Sequence, residues 1–220
     1  MKIIKINNIK ECLDKYNLSF PINSAAGYLY SKILEFNDLE ARFDDSFIKL
    51  AYATLDAWGM NGRAARLKDF KLFREILLNN KATFLKLGIE QIDSCQLEDE
   101  AIKSTLKDLF IGLQDICVQK SKLVTISKTM HFFLPCLIPP IDRRYTLRYF
   151  AKGENSIDVP AGESSFALFM TIIRCFQDFA RLNNEELKEF MDLHNGWNKY
   201  MPKLIDSIIV GLVKNREEKK

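Results

Sequence analysis

The chain has 220 residues, 47% of them hydrophobic, enough to bury one sizeable core without disulfides or a metal ion to hold it. A formal net charge of +3 is too small to name a partner. The opening residues, MKIIKINNIKECLDKY, lack the continuous apolar segment and small-residue cleavage site of a secretory signal. The longest apolar runs, such as FALFMTII at 166–173, reach less than half the length needed to cross a bilayer. The sequence predicts a cytoplasmic protein with no membrane partner.

Apolar residues recur with a period near 3.6, and proline and glycine fall mainly between such stretches, which predicts an all-α fold in one compact domain over 1–220, with room for two closely packed lobes. Helices are expected at 9–16, 24–36 and 46–57, the last after the acidic start FDDS and ending at WGMNG. Further helices follow at 69–78, with Phe70, Phe73, Ile76 and Leu77 on one side, and at 81–87, closed by Gly88. The acidic patch at 97–100 opens a helix expected over 97–118, and another is expected over 121–134. Pro135, Pro139 and Pro140 then force an extended or turning path. Residues 151–165, AKGENSIDVPAGESS, read as a loop that joins lobes or covers a site. Three helices close the chain, at 164–182, 183–195 and 201–214. No internal repeat is present.

Cys12, Cys95, Cys117, Cys136 and Cys175 are far apart and mostly embedded in apolar sequence, which predicts reduced core thiols rather than a disulfide frame or zinc site. His131 and His194 are the only histidines, and neither H-x-x-x-H nor C-x-x-C occurs. No metal site formed by the protein alone is predicted, and no cofactor; a magnesium ion held by carboxylates and a substrate stays open. The spacings G-x-x-x-x-G-K-S/T and G-x-G-x-x-G are absent as well.

Two segments carry candidate chemistry. In DAWGMNGRAARL, 56–67, two glycines and an asparagine within four positions permit a tight corner, followed by Arg63 and Arg66. Trp58 there could stack a base, while Asn61 and the arginines could take a phosphate or carboxylate; the alternative is a packed tryptophan beside solvated arginines. The second segment is SKTMHFFLPCLIPPIDRRYTLRYF, 127–150. Lys128 suits either a nucleophile or a phosphate contact, and Asp142, set rigidly after Pro140, suits a base or an electrostatic role. The structural alternative has Asp142 capping a helix that begins at Arg143 and pairing with Lys128 or an arginine, with His131 packed in the core. Ser127 and Lys128 are adjacent on a helix and point in different directions, which argues against a Ser–Lys hydrolase.

Five basic residues against one acid lie between Arg63 and Arg74, and Lys120, Lys122, Lys128, Arg143, Arg144 and Arg148 face Asp142 alone between 120 and 150. Folded onto one face, the two segments would attract a polyanion.

Lys128-Thr129, followed by an apolar run and Pro140-Ile141-Asp142, resembles the carboxyl half of the helix-hairpin-helix DNA glycosylases, over about 25 residues. The resemblance implies Lys128 as the amine that attacks the sugar carbon and Asp142 as the residue that stabilises charge or handles protons. LVTIS has no glycine where that family's hairpin is glycine-rich, and the path from Lys128 to Asp142 is shorter than the family pattern. WGMNGR paired with SKTMHFFLPCLIPPIDRRYT also resembles a group of uncharacterised prokaryotic helical proteins, which implies an architecture and no reaction.

The reading is a nucleic-acid-binding protein, in DNA repair or another DNA transaction, with Trp58, Asn61, Arg63, Arg66, Lys128, Arg143 and Arg144 at the interface and Lys128 and Asp142 as catalytic candidates. Alternatives are a DNA glycosylase with lyase activity, a small-molecule or nucleotide-processing enzyme with an enclosed pocket, and a protein-interaction module exposing Phe132, Phe133, Tyr145, Tyr149 and Phe150.

Overall fold

The computed structural model describes residues 8–62, 66–118, 122–150, 163–193 and 197–218. Eleven α-helical segments occur among them, with no strand, as the sequence periodicity predicts. They are α1 (Ile9–Ser19), α2 (Ala25–Ile33), α3 (Asp45–Leu55), α4 (Phe70–Asn79), α5 (Lys81–Leu87), α6 (Glu100–Gly112), α7 (Leu123–Phe133), α8 (Arg148–Phe150), α9 (Glu163–Leu182), α10 (Asn184–Leu193) and α11 (Met201–Glu218). No helix among the described residues is long and apolar enough to cross a membrane.

Helix starts follow local chemistry. Ser24, Asp69 and Asp99 each accept a hydrogen bond from a first-turn amide, satisfying donors that have no partner within the helix. α3 widens into a π-helical turn over Asp56–Met60, where Gly59 adopts φ +77°, a left-handed angle that a side chain would strain. The helix expected over 97–118 ends instead at Gly112. The chain beyond it pairs with 66–68 through an isolated bridge between Leu67 and Cys117, in which Lys68 donates to Ile116 and Val118 to Arg66. Those backbone bonds replace helical ones at the same residues. The loop expected at 151–165 falls, over 151–162, outside the described residues, and α9 begins at Glu163.

α7 is the central helix. Every residue from Leu123 to Phe133 is buried except Val124, which is half-buried. A helix covered on all sides must satisfy its own polar groups. Thr129 returns its hydroxyl to the Thr125 carbonyl at 2.8 Å, and Ser127 to Val124 at 3.0 Å. Ser127 is thus spent on the backbone. At the carboxyl end, buried Arg42 donates to the Phe133 carbonyl at 2.6 Å and doubly to the Phe36 carbonyl. A guanidinium against helix-terminal carbonyls satisfies both the cation and the acceptors.

His131 is buried, as the packing alternative has it. Its Nδ1–H donates to the Ile138 carbonyl at 2.7 Å, so Nε2 is the acceptor, and the Tyr30 hydroxyl donates to it at 2.7 Å. Phe132 and Phe133 are fully buried and Tyr145 nearly so, while Tyr149 and Phe150 are half-buried, so these five rings do not form the exposed aromatic patch expected of an interaction module. Phe132 and Phe133 serve the core because α7 is enclosed on all sides, whereas Tyr145 belongs to a turn whose Arg143 and Arg144 are exposed.

α1 and α11 pack side by side, and Gly211 makes their approach possible, because a Cβ there would overlap the Cys12 carbonyl. Gly211→Ala is expected to destabilise the fold by about 1–3 kcal/mol, measured by urea denaturation, since backbone on both sides must shift. A change under about 0.5 kcal/mol would show that the helix pair tolerates separation.

Candidate functional site

The sequence-predicted corner at 56–60 and the segment after α7 do meet. They form part of one cleft of about 250 Å3. Its walls are aromatic: Tyr16 and Phe20 from α1 and its end, Trp58 from the π-helical turn, Tyr145, and Trp197 before α11. Trp58 and Trp197 are the only tryptophans in the chain. Tyr30 lies behind both, with ring centroids 5.1 Å and 5.5 Å away, so its bond to His131 fixes the backing of two cleft walls.

Two ion pairs reach into this aromatic frame. Lys128, projecting from α7 with its side chain only 7% exposed, places Nζ 3.4 Å from Asp142 Oδ2 and 5.5 Å from the centre of the Trp58 ring. Asp142 follows Pro139-Pro140 and caps a π-helical turn over Arg143–Leu147, its Oδ1 accepting from the Arg144 and Tyr145 amides at 2.7 and 3.2 Å. The capping and pairing roles anticipated for Asp142 therefore coexist on its two oxygens. The π turn that Asp142 caps carries Tyr145 to the cleft wall.

The second pair was not foreseen from the sequence. Lys203 Nζ donates to Asp206 at 2.8 Å, to the Tyr16 hydroxyl at 3.0 Å and to Ser207 at 3.2 Å, and Thr146 donates to the other Asp206 oxygen at 2.9 Å. Burial alone works against the Lys203 charge, but the Asp206 carboxylate and Tyr16 outweigh it and carry the ammonium above its ordinary range. Lys203 and Asp206 stand one helical turn apart inside MPKLIDSIIVGLV, and that charge pair in an otherwise apolar helix was the available signal. Trp197, as the second of two tryptophans, was another.

The remaining candidates are placed differently. Asn61 is exposed just past the π-helical turn and does not line the cleft; Arg66 is exposed and engages Val118 through its carbonyl; Arg63 lies outside the described residues. Arg143 and Arg144 are exposed, and Arg144 stacks at 5.3 Å over the cleft-wall residue Tyr145 and lies 3.5 Å from Glu217. Lys214 joins them, its ammonium 5.1 Å from the Phe20 ring and 5.9 Å from Tyr145, with no ion pair among the described residues. Of the other basic residues, Arg74 is paired with Asp45 at 2.6 Å and Lys122 with Asp115 at 3.4 Å. No cluster of acidic, histidine or cysteine side chains among the described residues could hold a metal ion.

No protein-family model, curated protein or solved structure matches the chain.

Two stability effects follow from this geometry. Asp206→Asn leaves the Lys203 charge buried without its counter-ion and is expected to cost roughly 3–5 kcal/mol in chemical denaturation; a loss under about 1 kcal/mol would mean that Tyr16 and Ser207 suffice. Burial pushes the His131 imidazole from its ordinary 6.5 down to about 3. A depressed folded-state value gives stability that is present above pH 6.5 and lost as the pH falls toward 3. Denaturation at pH 6.5 and pH 5 should differ by roughly 1–2 kcal/mol, and His131→Gln should flatten that dependence.

Proposed function

We propose that this protein binds nucleic acid, taking one base of a strand into the aromatic cleft while the basic rim holds the neighbouring phosphates. The observation that carries the reading is the placement of the Lys128–Asp142 pair under Trp58, inside a cleft bordered by Arg144 and Lys214. Aromatic walls stack bases of any sequence, and a cleft of about 250 Å3 suits a single ring system rather than a large cofactor. The rim cations supply the part of binding that salt weakens.

The ammonium beside a carboxylate within the cleft favours a second reading, lyase chemistry at an abasic site, with Lys128 as the amine and Asp142 as its partner. That reading predicts borohydride capture of the protein on abasic DNA by wild type and none by Lys128→Ala.

Binding of fluorescent single-stranded, duplex and abasic DNAs across a salt series tests the primary reading. For a single strand, removing Arg143, Arg144 and Lys214 together should reduce the log–log salt slope by about 2, whereas Arg74→Ala, already paired away from the cleft, should leave it unchanged. Trp58→Ala should cost roughly 1–3 kcal/mol of binding at every salt concentration. Failure of every DNA to bind at low salt would dispose of the reading.

A further inference from the structure

One carboxylate joins two arginines next to the cleft. Glu217 Oε1 accepts from Arg148 Nη1 at 2.5 Å, and its Oε2 lies 3.5 Å from Arg144 Nη2. Arg144 and Arg148 stand four residues apart along the helical turns that follow Asp142, and they meet this carboxylate from the same side of that segment. Arg144 also stacks over Tyr145, a cleft wall, so Glu217 is held beside the cleft rather than on a distant face. Lys214, one turn before Glu217 on α11, adds a third cation close by, over the Phe20 and Tyr145 rings.

The helix that carries Glu217 gives it no support. α11 ends at Glu218, and a carboxylate in the last turn meets the negative end of the helix dipole. The arginines hold it there instead. Their grip is a loose one, with the Glu217 side chain 30% exposed, Arg148 37% and Arg144 67%. Ion pairs with that much water around them contribute little, and the final turn of a helix frays readily. A stronger anion can therefore take the place of the carboxylate. A phosphate group is such an anion, since guanidiniums bind it through the same forked hydrogen bonds and it presents more acceptor oxygens.

We infer that Arg144 and Arg148 form a phosphate site beside the cleft, which Glu217 occupies until a phosphate group displaces it. This rests on the nucleic-acid reading above, in which that phosphate belongs to the strand whose base enters the cleft. Arg148 thereby joins the interface, and Glu217 is a built-in competitor that sets its affinity.

The test uses the full chain, with Glu217→Gln beside Glu98→Gln. Both changes remove one negative charge, but Glu98 pairs with Arg174 and does not line the cleft. Binding of a fluorescent single-stranded DNA is followed by anisotropy and binding of inorganic pyrophosphate by calorimetry, with circular dichroism to check the fold of each variant. Glu217→Gln should tighten DNA binding about three- to tenfold, and Glu98→Gln by less than about twofold. In a chain that already carries Arg144→Gln and Arg148→Gln, the gain from Glu217→Gln should disappear. DNA binding that Glu217→Gln raises no more than Glu98→Gln does, or a gain that survives loss of both arginines, would overturn the phosphate site and leave the nucleic-acid reading in place. Pyrophosphate binding that Glu217→Gln strengthens and loss of the arginines abolishes, without any DNA binding, would uphold the site and discard the nucleic-acid reading. If neither DNA nor pyrophosphate binds any of these proteins, both are removed.

Discussion

The fold depends on the complete burial of a helix that is not purely apolar. α7 carries serine, threonines, a lysine and a histidine through the middle of the protein, and each polar group must find a partner there. The threonine and serine hydroxyls turn back to their own helix. His131 is held neutral between the Ile138 carbonyl and the Tyr30 hydroxyl, and Arg42 closes the helix end from another part of the chain. Burial thus dictates the network, and the network fixes where α7 sits. Lys128 differs from its neighbours because it lines a cleft, where it pairs with Asp142 beside the Trp58 ring.

That cleft inherits its rigidity from the core. Trp58 and Trp197 rest against Tyr30, whose hydroxyl is tied to His131, so two of the walls share a backing with the central helix. Asp142 is fixed from the other side by two backbone amides and by the proline-bounded path that precedes it. Lys203 and Asp206 form a closed network with Tyr16, Ser207 and Thr146, linking α11, α1 and the turn after Asp142. One ion pair consequently organises the surrounding elements, and the other lines the same small cleft beside Trp58. Pre-formed walls lower the cost of ordering on binding.

Helix type and order were legible because apolar periodicity and capping residues act locally. Ser24, Asp69 and Asp99 stand at helix starts, and the lysine segment 81–87 has the bounds its pattern suggests. The ending of α6 at Gly112 was not legible, since it depends on pairing with residues 66–68, roughly fifty positions earlier in the chain. In the site, Trp58, Lys128 and Asp142 stood out by residue type and by the glycine and proline around them. Tyr16 and Lys214 did not, and Trp197, Lys203 and Asp206 were marked only by residue type, because their place in the cleft exists only once α1 and α11 lie side by side. Arg42 was likewise unmarked in sequence; its role is to meet carbonyls brought together by folding.

The sequence by itself determined an all-helical chain, its main turns, and a lysine and aspartate placed near prolines. These properties come from backbone preference and from patterns within a few helical turns. The tertiary structure alone decided that Lys128 and Asp142 share a cleft with Trp58, that a second ion pair completes it, and that Arg144 and Lys214 border it while Asn61 and Arg66 do not line it. Such distances are set by how helices pack to bury their apolar faces, and no local rule fixes which distant side chains that packing brings together.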